Sequence, residues 1–139
     1  MARIHVYIRF AGNCREAMTF YKECLGGELF LLTVGDSPLA DQMPADARES
    51  ILHSTLTNGA LVLKACDMAR GHVIKGPSFS LMLECSSEEE INRFFSALSA
   101  GGEVSDPLSV KFWGSTFGEV TDKYGNNWML TYENTMHRE

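Results

Sequence analysis

The chain has no CxxC pair, and its four cysteines, Cys14, Cys24, Cys66 and Cys85, are far apart and show no Cys/His zinc spacing. It has no apolar run long enough to cross a bilayer, so a membrane partner is not expected. It begins MARIHVYIRF, directly in strand pattern, without the apolar core and small-residue cleavage site of a signal peptide. The thiols are therefore read as reduced and the protein as cytoplasmic. The 12 Lys and Arg residues form no cluster and are outnumbered by 18 Asp and Glu; the net charge of −6 argues against a nucleic-acid partner. What remains is globular. A hydrophobic content of 45% in 139 residues suffices for one domain, 1–139, with a core that needs no staples.

Residues 3–10 alternate, with Ile4, Val6, Ile8 and Phe10 apolar and Arg3, His5, Tyr7 and Arg9 on the other face, the pattern of a half-buried strand. Asn13 with Glu16 predicts a capping box opening a helix over 14–25, which the glycines Gly26 and Gly27 stop. A strand follows over 28–34. Residues 35–48 then turn to Gly, Asp, Ser, Pro, Ala and Met, a composition that fits either a functional lid or a plain linker. Strands over 51–57 and 61–65 are expected to form a hairpin across Asn58 and Gly59.

After a polar linker over 67–76, which includes His72 and Lys75, the opening pattern returns. Phe79, Leu81, Leu83 and Cys85 alternate with Ser80, Met82 and Glu84, and Ser86 and Ser87 with Glu88, Glu89 and Glu90 cap a second helix. Gly101 and Gly102 stop it, and Glu103 and Val104 begin another strand. Residues 112–130 read as two strands around a turn of Asp122, Lys123, Tyr124 and Gly125, with Trp128, Leu130 and Tyr132 leaving it at strand period. Core packing is the simplest role for Trp128, while Trp113 suits either core or pocket wall.

The chain repeats itself. Phe20 and Tyr21 return as Phe94 and Phe95 after 74 residues, and Gly26 and Gly27 as Gly101 and Gly102 after 75. Two copies at this spacing mean a duplicated supersecondary unit, not a solenoid. Each copy reads strand, helix, then three strands, with the helix on one face of a short sheet. The expected class is α+β: two tandem βαβββ modules, about 1–69 and 76–136, forming an open barrel-like mixed sheet around a cavity with the helices outside.

Several stretches carry a family likeness: 7–18 (YIRFAGNCREAM), Phe20 and Tyr21, Gly26 and Gly27, His53, Asp67, Phe112 with Trp113 and Gly114, Phe117 with Gly118, Val120, 122–125 (DKYG), and Trp128 with Met129. Together they resemble the PhnB-like branch of the vicinal oxygen chelate superfamily, the glyoxalase, bleomycin-resistance and extradiol dioxygenase proteins. The resemblance spans nearly the whole chain and implies a homodimer. The branch is sometimes labelled 3-demethylubiquinone methyltransferase-like. A methyl-donor cofactor would normally sit on a Gly-rich strand-to-helix turn, whereas the double glycines here follow helices, so that label is rejected.

Metal-dependent relatives carry His or Glu on four strands. The resemblance puts His5 at the first position, Leu63 or Lys64 near the second, Ser80 at the third and Met129 at the fourth. A thioether, a hydroxyl and an ammonium do not replace ligands for Zn²⁺, Ni²⁺ or Fe²⁺, so no metal and no cofactor are expected. His53, Glu84 and Glu133 could build only a site of different geometry. The expected ligand-binding residues are His5, Tyr7, Arg9, His53, Trp113 and Met129. Imidazole, phenol and guanidinium on one strand face suit an anionic or carbonyl-bearing small molecule. The bland alternatives are an ordinary hydrogen-bonded sheet face and, for His53, a satisfied structural histidine. Cys14, in a first helical turn beside Arg15, has a setting that lowers a thiol pKa, but no base is paired with it. Catalytic residues stay unassigned. The leading expectation is a protein that binds a small organic ligand in its barrel cavity without a tight metal. The rivals are a metal-dependent lyase, isomerase or resistance-type enzyme using His5, His53 and a carboxylate, and a structural dimer with no ligand.

Overall fold

The computed structural model describes residues 2–68 and 73–133. His72 of the linker and the last residues assigned to each module, 69 and 134–136, lie outside the described residues. The chain divides into two compact units, Met1–Ile74 and Lys75–Glu139. Each is a βαβββ module, and the class is α+β.

The first module runs β1 (Val6–Arg9), α1 (Cys14–Leu25), β2 (Glu28–Thr33), β3 (Ile51–Asn58) and β4 (Leu61–Cys66). Its sheet order is β1-β4-β3-β2, with β1 parallel to β4 and the other pairs antiparallel. α1 packs on one face: Ala17, Met18 and Tyr21 from the helix, and Ser54, Leu56, Leu63 and Ala65 from the strands, are almost fully buried. The aliphatic side of β1 sits on this face, since Val6 pairs with Leu63 and Ile8 with Ala65.

β1 is shorter than its alternation predicts. Pairing with β4 covers only Val6–Arg9, and Ile4, beyond it, is fully exposed. The capping box is also corrected. Asn13 occupies the N-cap position but makes no side-chain cap bond. Instead Asp67 Oδ1 accepts from the backbone N–H groups of Gly12 (3.0 Å) and Cys14 (2.9 Å), and Oδ2 from that of Ile51 (2.9 Å). One carboxylate from the end of β4 thus ties the start of α1 to the start of β3. In the β3–β4 hairpin Asn58 pairs with Leu61, so Gly59 and Ala60 form the turn, one residue later than expected. Gly59 has φ +62°, and among the described residues none but glycine takes positive φ, which suits a turn needing a left-handed residue only at its first central position.

Residues 35–48 form a loop closed at its base, where the N–H of Val34 donates to the Ser50 carbonyl (2.9 Å) and that of Gly35 to the Arg48 carbonyl (2.9 Å). Two short 3₁₀ turns, Ala40–Gln42 and Ala45–Ala47, and the buried Ser37 give it internal structure.

The second module repeats the order: β5 (Leu81–Glu84), α2 (Glu88–Ser99), β6 (Glu103–Val110), β7 (Ser115–Thr121) and β8 (Asn127–Glu133), in sheet order β5-β8-β7-β6. Here the predicted cap forms: the Glu90 N–H donates to Ser87 Oγ (3.0 Å), and Glu90 Oε1 accepts from the Ser86 N–H (2.8 Å). Trp128, 1% exposed, lies in the core with Leu83, Leu130, Val120, Phe94 and Leu98, and its indole N–H donates to Asp122 Oδ2 (2.8 Å). Asp122 Oδ1 also accepts from the N–H groups of Tyr124 (2.8 Å) and Asn126 (3.0 Å), the turn chemistry its position predicts. Pro107 lies on β6, the edge strand, where a missing N–H costs no ladder bond inside the sheet.

Candidate functional site

With α1 on one face of the first sheet, strand alternation decides what the other face presents. Tyr7 pairs with Lys64, Lys64 with Thr55, and Thr55 with Phe30, so these four side chains cross the sheet in one row. Arg9 pairs with Cys66, and His53 with Leu32, in the next row. Tyr7 is 45% exposed and Phe30 56%.

Within this face the rings and charges gather on β1, β4 and β3. The Tyr7 and His53 rings lie 6.2 Å apart on the strands either side of β4, and Cys66 between them is buried. The Arg9 guanidinium carbon stands 5.7 Å from the centre of the Tyr7 ring. Partial burial, and then a hydrogen bond with the Cys66 thiol, push the Tyr7 phenol up to about 12, so it is protonated at neutral pH. His53 Nε2 lies 3.3 Å from Thr55 Oγ1, so the histidine has a local partner. His5 is exposed, two residues before Tyr7 and on the same alternation, just ahead of the strand.

The other two expected ligand residues belong to the second module, on the face of its sheet away from α2. Met129 pairs with Met82 and Glu119, and Glu119 with Asp106. In the next row Glu84 pairs with Thr131 and Thr131 with Phe117. Trp113, in the β6–β7 turn and 53% exposed, packs edge-on against Phe117 at 6.1 Å and Phe112 at 4.9 Å, so it is not a core residue. Lys111 Nζ bonds Asp106 Oδ1 at 3.1 Å.

The structure therefore brings Tyr7, Arg9 and His53 together, with His5 exposed just ahead of β1 and Trp113 and Met129 on the second module's own face. Lys64 as a site residue, Thr55, Cys66 and Phe30 were missed on the first face, and Met82, Glu84, Glu119 and Phe117 on the second. Their signal was the period-two register of β3, β4, β7 and β8, which becomes usable only once the pairing is known.

Cys14 is a correction. It is fully buried, and burial pushes its thiol up to about 12, overriding the Ser54 hydroxyl 3.6 Å away and the Arg15 charge that favour the thiolate. Proximity to Arg15 loses to desolvation, and the residue is a packed thiol. Burial does the same to Cys85, also pushed up to about 12.

The four positions where metal-dependent relatives hold their ion also resolve. At the second position Leu63 is buried under α1, so Lys64 is the residue on the open face. The first module then offers an imidazole and an ammonium at its two positions and the second a hydroxyl and a thioether, and neither pair suits a divalent metal ion. Among the described residues, no three His, Cys, Asp or Glu side chains are grouped to hold one. Nor is any helix among them long and apolar enough to cross a membrane.

Paired βαβββ modules, each with one helix-covered and one open sheet face, define the glyoxalase fold. The chain belongs to the Glyoxalase/Bleomycin resistance protein/Dioxygenase superfamily, whose pattern matches residues 3–130. It is 31% identical to protein YjdN of Escherichia coli (strain K12) over 133 residues, 89% of this chain and 90% of that protein. The crystal structure of protein PA1353 from Pseudomonas aeruginosa is 38% identical and superposes with a TM-score of 0.83 over 96% of this chain and 98% of that one. The PhnB protein from Bacillus cereus, at 26% identity, gives a TM-score of 0.72 over 94% and 99% of the two chains. These likenesses set the chain in the PhnB-like branch.

Proposed function

We propose that the protein binds a small organic ligand on its open sheet faces without a tightly held metal ion. One observation carries the reading: both faces away from the helices present large, partly exposed side chains, Tyr7 and Phe30 on one and Met82 and Trp113 on the other, interleaved with titratable groups. Surfaces that are apolar, exposed and studded with a few polar groups are where small ligands bind. The reading includes a cytoplasmic homodimer, supported by the resemblance to proteins whose modules complete their sites against a partner. The donors at the corresponding positions of each module, His5 and Lys64 in the first and Ser80 and Met129 in the second, are what weigh against metal-dependent lyase or isomerase chemistry.

Trp113 supplies the test, because Trp128 is buried and the exposed indole reports the surface. Binding of a small aromatic ligand should change the emission of the protein, and Trp113→Phe should abolish that change. Protein purified without chelator should carry far less than one equivalent of Zn, Ni, Mn or Fe. A stoichiometric metal that is lost in His5→Ala would overturn the reading in favour of the metalloenzyme.

A further inference from the structure

The open face of the first module holds a charge imbalance within an acidic protein. Arg9 and Lys64 stand on the neighbouring strands β1 and β4, on the same face, in adjacent rows of the register. The two ion pairs found among the described residues, Arg15–Glu49 and Lys111–Asp106, involve neither of them. Asp67, at the end of β4, directs its oxygens at three backbone N–H groups. Glu28, the carboxylate on this face, pairs with Thr57 on the far edge strand, two strands from Lys64 and three from Arg9. Two cations are therefore held side by side by backbone pairing, in a chain of net charge −6, without a carboxylate between them.

Around the cations the face offers donors and then an apolar strip. The Tyr7 ring lies beside Arg9 and the His53 ring beside that of Tyr7, and Phe30 and Leu32 follow on β2. A guanidinium presents a planar fork that matches a carboxylate or phosphoryl group with two parallel bonds, and a nearby ammonium adds a point charge. We propose that this face binds a small organic anion, its oxyanion head across Arg9 and Lys64 within reach of Tyr7 and His53, and its aromatic or aliphatic body along Phe30 and Leu32. This deepens the small-ligand reading and rests on it. Carboxylates and phosphonates share the required chemistry.

Four probes of one size separate the possibilities: benzoate, phenylphosphonate, neutral benzamide and cationic benzylamine, each titrated into the full-length protein with the Tyr7 and His53 ring signals followed by NMR. The anions should bind about tenfold or more tighter than benzamide, weakening as salt rises, and shift both ring signals. Arg9→Gln and Lys64→Gln should each weaken anion binding about five- to tenfold and leave benzamide binding unchanged, with partial recovery in Arg9→Lys. A preference between benzoate and phenylphosphonate would assign the head group. Equal binding of benzoate and benzamide would overturn the anion assignment while leaving the small-ligand reading in place. Anion binding unaffected by Arg9→Gln and Lys64→Gln would overturn this location. Failure of all four probes to shift Tyr7 or His53 would remove the first module's face from both readings.

Discussion

Placed on a common register, the two open sheet faces differ at almost every position. Tyr7 corresponds to Met82, Arg9 to Glu84, Lys64 to Met129, Thr55 to Glu119, His53 to Phe117 and Phe30 to Asp106. At these six positions one face carries two cations and two polar rings; the other carries three carboxylates and two thioethers, with the Trp113–Phe117 corner beside them. The scaffold diverged far less. A Cβ on Gly27 would overlap the Thr57 carbonyl oxygen, and one on Gly102 would overlap that of Thr121, and Thr57 and Thr121 are themselves register equivalents. A duplicated fold keeps what its close approaches require and is free to change what faces outward. The metal question sharpens in this light. His5 and Ser80 occupy equivalent positions, as do Lys64 and Met129, so neither copy presents a pair of good ligands.

The largest expected effect contrasts the two modules through the carboxylates that each tie three N–H groups, at different places in the two copies. Asp122 is 3% exposed and bonds two turn N–H groups and the Trp128 indole; Asp67 is half-buried and bonds three backbone N–H groups. Asp122→Ala should cost on the order of 3–5 kcal/mol and Asp67→Ala about 2–3 kcal/mol, because the indole N–H is left buried where the backbone groups near Gly12 can reach water. Urea unfolding midpoints measure both. A larger loss at Asp67 would mean that the helix-to-strand tie, not the buried turn, is the more important anchor.

A second contrast is one of volume. Ser54 and Gly118 are register equivalents under the helices. A Cβ at Gly118 would come within 2.7 Å of the Phe95 ring and 2.9 Å of Leu108, whereas Ser54 sits against the small thiol of Cys14 and donates to the Ala65 carbonyl (2.9 Å). Gly118→Ala should therefore destabilise by about 1–3 kcal/mol through overpacking. Ser54→Ala should cost only about 1 kcal/mol, for one buried hydrogen bond. If Gly118→Ala proved neutral, Phe95 would have room to move and the volume argument would fail.

These contrasts also mark what the sequence could show. The double glycines, the paired aromatics and the period-two strands made the duplicated βαβββ plan legible, and the α1 limits fall where the Asn13 and Gly26 signals place them. The turn at Asp122 followed from its own residues. What failed depended on partners far away in the chain. The bond pattern of Asp67 displaced a local capping box, burial under the packed sheet reversed the reading of Cys14 despite its Ser54 contact, and the pairing of β4 ended β1 short of Ile4. The open face was half visible. His5, Tyr7 and Arg9 came from alternation within one strand, but only the register of β4 and β3 brings Lys64, Cys66 and His53 beside them.

The smallest predicted effect isolates that difference between local and distant control. Both helices start with a good capping residue, yet only Ser87 makes the cap bond, accepting from the Glu90 N–H, while Asn13 makes none. Ser87→Ala should destabilise by about 1 kcal/mol, the usual worth of a formed cap. Asn13→Ala should fall within about 0.5 kcal/mol of the parent, since the cap bond that would be lost is not made and Asp67 serves the Gly12 and Cys14 N–H groups instead. In the Asp67→Ala background the start of α1 loses those bonds, and a side-chain cap from Asn13 to the N–H of Arg15 or Glu16 is the local substitute. Asn13→Ala should then cost measurably more than it does alone, a coupling that a double-mutant cycle reads directly. Strict additivity would show that Asp67 and Asn13 do not compete for the same helix start.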